Sequence, residues 1–375
     1  MKGSIKQRSK GSWRLRYDGP PDASGRRTQV SETVRGTRKD AETVLRERLV
    51  NIDRGTFMPK RKETVGTFLE RWLEIYAASN TTLRTQQGYR GVVTRYIIPA
   101  FGGVSLQALR PDHIQALYSD LLGRGLSPRT VLHVHRVLRG ALSQALKWGV
   151  VIRNVADAAT APRPERTETI MWGRDTVQEF LEVSRQSRFH DLYQLALLTG
   201  MRRSELVGLK WDQVDLPGKR LAVVTTLQHI TGRGLVEGRP KTAKSRRSIA
   251  FTVTVVDLLR TVRGRQIERR LAAGPAWQDG GHVFSQADGS PVDPDAVTKD
   301  FTHIVRRAGL PRLTFHGLRH AHATLLLAAG AHPKVVSERL GHSNIAVTMD
   351  TYSHVLPGIQ EAAAASLDEY LAAAR

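Results

Sequence analysis

Residues 314–355 read TFHGLRHAHATLLLAAGAHPKVVSERLGHSNIAVTMDTYSHV. His316 and Arg319 stand three residues apart at the start of an apolar helical run, so both project toward one point near a helix beginning. Pro333 suits the first turn of a short helix that Gly341 can end, and His342 follows that stop directly. Ser343 or Asn344 can cap a further helical turn, with Tyr352 on it or just beyond. Cationic or hydrogen-bonding groups followed by a lone phenol point to phosphate chemistry with tyrosine as nucleophile. A phosphate must have its charge neutralised before an oxyanion can attack it.

Composition narrows the partner. A chain of 375 residues is long enough for two or three domains. A formal charge of +22 favours a polyanion, and nucleic acid is the partner expected of a protein with ordinary hydrophobicity. Positive charge is in excess in 1–60, in 61–167 and in the remainder, as a protein encircling DNA requires. There is no cysteine, which removes disulfides and thiolate metal sites. No apolar run reaches membrane-spanning length and the polar N-terminus lacks a secretion signal, so a cytoplasmic protein with no membrane partner is expected.

From the start of the chain, 12–17 (SWRLRY) alternates as a strand with Trp13, Leu15 and Tyr17 on one face and Arg14 and Arg16 on the other. A second strand is predicted over 28–34, and Thr37 can cap a helix with Asp40 in its first turn. The arginine-bearing face is a candidate β-ribbon for a DNA groove. From Glu63 onward the pattern turns helical, with Phe68, Trp72 and Ile75 or Tyr76 on one face. Helical runs follow at 85–97, 111–122 and 127–148, carrying Arg84, Arg129 and Arg136 as candidate DNA contacts. His133 and His135 diverge on a helix and make a poor metal pair. Residues 159–169 (ATAPRPERTET) lack periodicity and read as a linker. Beyond it, 191–199 is an apolar helix ending at Gly200. Residues 221–226 and 248–255 are β-rich around a glycine- and lysine-rich span, 279–294 is turn-rich, and 296–309 is helical. An amphipathic terminal helix after Pro357 places Tyr370 on its apolar stripe. No histidine pair has zinc-ligand spacing, so no metal is expected.

HGLRH at 316–320, LGHS at 340–343 and TMDTYSHV at 348–355 resemble the tyrosine recombinase (phage integrase) family. TGMRRSEL at 199–206 resembles its first arginine motif and PKTAKSRRSI at 240–249 its β-hairpin lysine segment. The resemblance implies a multidomain, mainly α fold with small β elements. Residues 1–60 would be an arm-site DNA-binding domain, a small β-sheet plus one helix. Residues 61–158 would be an all-α core-binding domain, 159–169 a linker, and 170–375 an α+β catalytic domain.

The activity implied is that of a phage or mobile-element integrase working through a 3′-phosphotyrosyl intermediate. Tyr352 would be the nucleophile, Arg202 and Arg319 the phosphate clamps, and Lys241 the general acid. His316 would accept the phenolic proton or hold the phosphate, and His342 would donate a hydrogen bond to it. Arg203 is the alternative to Arg202 if the turn is read one residue out, and Lys244 the alternative to Lys241. Glu205, three residues after Arg202, can orient its guanidinium. Lys244, Arg246 and Arg247 either depress the pKa of the acid or hold DNA backbone. No cofactor is implied. The partners implied are double-stranded DNA with core and arm sites, a homotetramer on that DNA, a directionality factor and a host DNA-bending protein, all in the bacterial cytoplasm. A type IB topoisomerase-like relaxing enzyme is the nearest alternative, opposed by the arm-like domain. A DNA-binding regulator without catalysis is opposed by the complete residue set.

Overall fold

Alternation along SWRLRY works as period-two patterning demands: Leu15 and Tyr17 are buried, whereas Arg16 faces solvent. The stretch is the middle strand of an antiparallel meander, β1 (Gly3–Ser9), β2 (Ser12–Gly19) and β3 (Thr28–Arg35). Helix α1 (Arg38–Asp53) packs Ala41 and Leu45 onto Leu15 and Tyr17. Thr37 caps it through a reciprocal box, its hydroxyl accepting from the Asp40 amide while the Asp40 carboxylate accepts from the Thr37 amide. β1 lies outside the sequence expectation. Its residues GSIKQRS include one apolar side chain, and as an exposed edge strand it is held by backbone pairing rather than by an apolar face.

The computed structural model describes residues 3–19, 25–54, 57, 62–165, 170–240, 245–342, 344–352, 368 and 371–372. The chain divides into two units, Met1–Arg166 and Thr167–Arg375. Besides the small sheet, the first unit holds a separate helical core. This is built from α2 (Val65–Trp72), α3 (Ala78–Asn80), α4 (Leu83–Val92), α5 (Ile98–Phe101), α6 (Pro111–Gly123) and α7 (Pro128–Lys147). Two wide π turns, Leu73–Ala77 and Val93–Ile97, join α2 to α3 and α4 to α5. The first brings Leu73 and Ala77 into the core and turns Ile75 out to 56% exposure, so of the two residues expected on that face it is Tyr76, stacked on Trp72, that packs. Thr64, Thr82 and Ser127 cap α2, α4 and α7.

The second unit is built around α9 (His190–Thr199), whose Leu192, Tyr193, Leu195 and Ala196 are all buried. Against this core lie α8 (Arg174–Val183), α10 (Arg203–Val207), α11 (Val253–Ala273), α12 (Pro294–Arg307) and α13 (Phe315–Ala328). Strands β4 (Val214–Asp215), β5 (Arg220–Val223) and β8 (Arg247–Ala250) form one antiparallel sheet, and β6 (Thr226–Ile230) with β7 (Gly234–Gly238) form a hairpin. The β-rich reading of 248–255 is corrected here. β8 ends at Ala250 and a 21-residue helix begins at Val253. The β-branched run VTVV favours a strand by propensity, but Val255, Val256, Leu259 and Val262 recur at helical spacing and are buried, so packing decides. β7, within the span read as glycine- and lysine-rich, was also unforeseen. Helices α14 (Pro333–Leu340) and α15 (Ile345–Tyr352) complete the unit. Lys241, Lys244, Tyr370 and nearly all of the expected terminal helix lie outside the described residues. Among the described residues no helix is long and apolar enough to cross a membrane.

Phe301 sits in a ring cluster with Trp172, Phe180, Tyr193 and Phe315, at centroid distances of 5.1–5.9 Å. Because Phe315 precedes His316, this cluster fixes the start of α13. Phe301→Ala is expected to destabilise the chain by about 3–5 kcal/mol, read as a lower urea midpoint for the second unit. An unchanged midpoint would mean that the cluster does not hold α13.

Candidate active site

A helix leaves its last carbonyls without intrahelical partners, and the end of α14 accounts for each of them. Gly341 takes the left-handed conformation at φ 68°, and the amides of Gly341 and His342 donate back to the carbonyls of Glu338 and Ser337. The next three carbonyls are each filled by an arginine from elsewhere in the sequence. The Arg339 oxygen accepts from Arg247 Nε at 2.6 Å, the Leu340 oxygen from Arg319 Nη2 at 2.5 Å, and the Gly341 oxygen from Arg202 Nη2 at 3.3 Å. The end of α9 mirrors the arrangement. His322 Nδ1 donates to Leu197 O, Arg339 Nη2 to Leu198 O, and Arg319 Nη1 to Gly200 O. Gly200 has φ 66°, and a Cβ there would come within 2.5 Å of the His322 ring. Only glycine fits both constraints.

Arg202 stands at the head of α10. Glu205, in its first turn, accepts from the Arg202 amide at 2.9 Å and from its Nη1 at 2.7 Å. Glu205 is buried, and Arg247 grips the same carboxylate with Nη2 at 2.9 Å and Nη1 at 3.2 Å. Burial alone would raise the Glu205 pKa. The Arg247 pair, followed by the amide and charge of Arg202, outweighs it and holds the carboxyl below its ordinary range. Arg203 points elsewhere, donating to Pro294 O, Asp295 and Thr298 at the start of α12. Of the two arginines left open by the sequence, Arg202 is the one at the end of α14.

His316 and His320 meet edge to face at 5.1 Å near the head of α13. Crowding by the surrounding protein, then the neighbouring His320 and the cations Arg319 and Arg202, push His316 down to about 4, although part of the residue stays open to solvent. His342 is also pushed down to about 4, by burial and then by Arg319 and Arg202. Its Nδ1 lies 2.8 Å from the hydroxyl of the buried Thr348 on α15. Each imidazole is therefore neutral at physiological pH, with one nitrogen to accept a proton and one to donate a hydrogen bond. His322, pushed down to about 4 mainly by burial and then by Arg339, has a structural role. Its Nδ1 must donate to a carbonyl while Nε2 accepts from Arg339 Nε at 3.1 Å, a pairing that requires the neutral ring.

Arg202, Arg319, His316 and His342 thus gather where α14 ends, and Tyr352 is the last residue of the helix that follows. Such a set can cradle a phosphodiester and accept a proton beside it. Residues 174–358 match the model of the phage integrase family, and 64–122 match the N-terminal SAM-like domain of phage integrases. A tyrosine recombinase XerC-like protein of Caldanaerobacter subterraneus subsp. tengcongensis is 30% identical over 339 residues, covering 86% of this chain and 87% of the relative. The chain belongs to the tyrosine recombinase family. It is a site-specific DNA recombinase, an enzyme that cleaves and rejoins DNA. An integrase of Streptomyces ambofaciens is likewise 30% identical, over 91% of this chain and 89% of its own. In fold, the recombinase resembles the Tn1549 transposon integrase in complex with a circular-intermediate DNA, with TM-score 0.70, 23% identity, and coverage of 81% of this chain and 99% of that one. It also resembles a lambda integrase dimer bound to a COC′ core site, with TM-score 0.59, 18% identity, and coverage of 77% and 95%.

The candidate DNA contacts of the recombinase differ in exposure. Arg16, Arg84, Arg129 and Arg136 are exposed, whereas Arg14 is partly buried and donates to Ser31 Oγ at 2.8 Å. Arg247, read from sequence as a pKa-lowering or DNA-holding group, is instead 6% exposed and spent on Glu205 and Arg339. Neither Arg339 nor His322 was singled out for a role in the site. The signal available was an arginine one residue before the LG stop of a short helix, where helix-end carbonyls attract cations.

In the unfolded chain a histidine takes up its proton near 6.5, and in the fold His322 does so near 4. The unfolded state binds more protons in that window, so stability is lost as pH falls through it. The urea midpoint of the recombinase is expected to drop between pH 6.5 and 4, less steeply in His322→Gln than in the wild type. Parallel pH profiles for the two proteins would rule out a depressed His322.

Proposed function

We propose that Tyr352 attacks the scissile phosphodiester, leaving a 3′-phosphotyrosyl bond and a free 5′-hydroxyl, in a phage or mobile-element integrase. The single observation carrying this reading is the gathering of Arg202, Arg319, His316 and His342 at the end of α14, one short connection before α15. Arg202 and Arg319 hold the non-bridging oxygens as charge grows on them. Neutral His316 accepts the phenolic proton or holds the phosphate, and His342 donates a hydrogen bond to it. Lys241, or else Lys244, protonates the leaving 5′-oxygen. The phosphotyrosyl bond conserves the energy of the broken one, so rejoining needs no nucleotide cofactor.

In this reading 1–60 is the arm-site domain, 61–158 the core-binding domain, 159–169 the linker and 170–375 the catalytic domain. The outward face of β2, with Arg14 and Arg16 beside Lys6 of β1, supports the first assignment. The protein works in the bacterial cytoplasm as a homotetramer on its attachment sites, a reading supported by its likeness in fold to a lambda integrase tetramer bound to a Holliday junction. A directionality factor and a host DNA-bending protein assist it.

A nicked suicide substrate is expected to trap wild-type protein on the 3′ side and to leave Tyr352→Phe untrapped with unchanged DNA affinity. Arg202→Ala or Arg319→Ala should slow trapping by about 10²–10³-fold. Trapping that survives in Tyr352→Phe would sink the assignment. Lys241→Ala should recover on a substrate whose bridging 5′-oxygen is sulfur, since a thiolate leaves without a proton. Equal defects on both substrates would move the role of general acid to Lys244, to be tested in the same way.

A further inference from the structure

We propose that Arg247 is a positioning residue of the recombinase, fixing the Glu205 carboxylate that orients Arg202. The inference rests on the functional reading of Arg202 given above. Arg247 is closed off from any substrate. Its side chain is 6% exposed, and its donors are taken by both Glu205 oxygens, Arg339 O and Ser245 O. Glu205 is in turn 2% exposed and is the one buried carboxylate among the described residues. The groups facing it are the cations Arg202 from the head of α10 and Arg247 from β8, and the titratable but neutral His316 from α13.

A buried carboxylate paired with a single half-exposed guanidinium has two poor options. It takes up a proton and lets go of Arg202, or it stays ionised and draws Arg202 inward as its sole counter-ion. A second guanidinium removes both. With Arg247 on the carboxylate, Glu205 stays ionised at lower pH, and the trio keeps a net positive charge at Arg202, whose side chain is 34% exposed. The fork also fixes where the carboxylate points, because Arg247 is tied by Nε to the same helix end that receives Arg202 and Arg319. Arg247 thus acts on the phosphate at one remove, through Glu205.

The test is single-turnover cleavage of the nicked suicide substrate from pH 5 to 9 by wild type, Arg247→Lys, Arg247→Met, Glu205→Gln and the Arg247→Met/Glu205→Gln double variant. Affinity for the same duplex and thermal melting are measured beside it. Arg247→Met is expected to cleave roughly 10²-fold more slowly at saturating DNA, with affinity little changed. Its rate should also gain an acidic limb, falling as Glu205 protonates at a pH where the wild type is still flat. The limb should be absent from the double variant, which has no carboxyl to titrate. That variant should be no slower than the worse single, as groups acting in series require. Arg247→Lys keeps the charge and should recover much of the rate without the limb.

Multiplying defects in the double variant, or a pH profile shifted in none of them, would overturn the inference. A loss of affinity with the saturated rate unchanged would do the same, making Arg247 a DNA contact. Should Arg247→Met fail to fold, Arg247→Lys and Glu205→Gln decide, since a structural pair predicts melting losses with unchanged pH profiles. An inactive wild type, or an active Tyr352→Phe, sinks the functional reading and this inference with it. An active wild type with independent variants sinks this inference alone.

Discussion

The second unit depends on how two helix C-termini are closed. The last carbonyls of α9 and α14 attract cations because the peptide dipoles sum to a partial negative charge there. The chain answers with Arg202, Arg247, Arg319, Arg339 and the neutral His322. A guanidinium held by carbonyls keeps its formal charge, while one held by a carboxylate is neutralised. Arg319 is held by two such carbonyls, whereas Arg202 and Arg247 divide one carboxylate between them, which leaves a net positive charge for the phosphate of the proposed reaction. The cost is that the cradle exists only when segments around positions 200, 247, 319 and 340 have all docked.

Features governed by rules within a few residues were legible in the sequence. The Thr37 box, the left-handed stops at Gly200 and Gly341, and the proline-led start of α14 all follow from local chemistry and appear where the residues placed them. The candidate site was legible in part, because His316, Arg319 and His342 stand close in sequence and Arg202 follows a recognisable helix stop. The resemblance named Arg202 and kept Arg203 as the alternative, and local rules alone do not decide between them. That choice is made by α12, ninety residues on, which captures Arg203. Arg247 was misjudged for the same reason, since nothing near it in sequence announces a buried carboxylate at 205. Strand β1 lacked an apolar face to reveal it, and the start of α11 carried a β-branched run whose propensity packing overrode.

Two populations of arginine coexist in the chain. Those of the cradle are buried or partly so, with fixed partners, so salt screens them little. Those on the outer faces, such as Arg16, Arg129 and Arg136, are long exposed cations whose attraction for a phosphate backbone weakens steeply with added salt. In the proposed function, added salt would therefore weaken the arrival of DNA at these outer arginines more than the contacts inside the cradle.

The Gly341 carbonyl that receives Arg202 is followed at once by His342, whose ring is fastened to Thr348 inside α15. The Arg202 contact and the helix ending in Tyr352 are therefore joined through one histidine. In the proposed chemistry, with Tyr352 as nucleophile, a pull on this helix is felt through Thr348 and His342 at the peptide that receives Arg202.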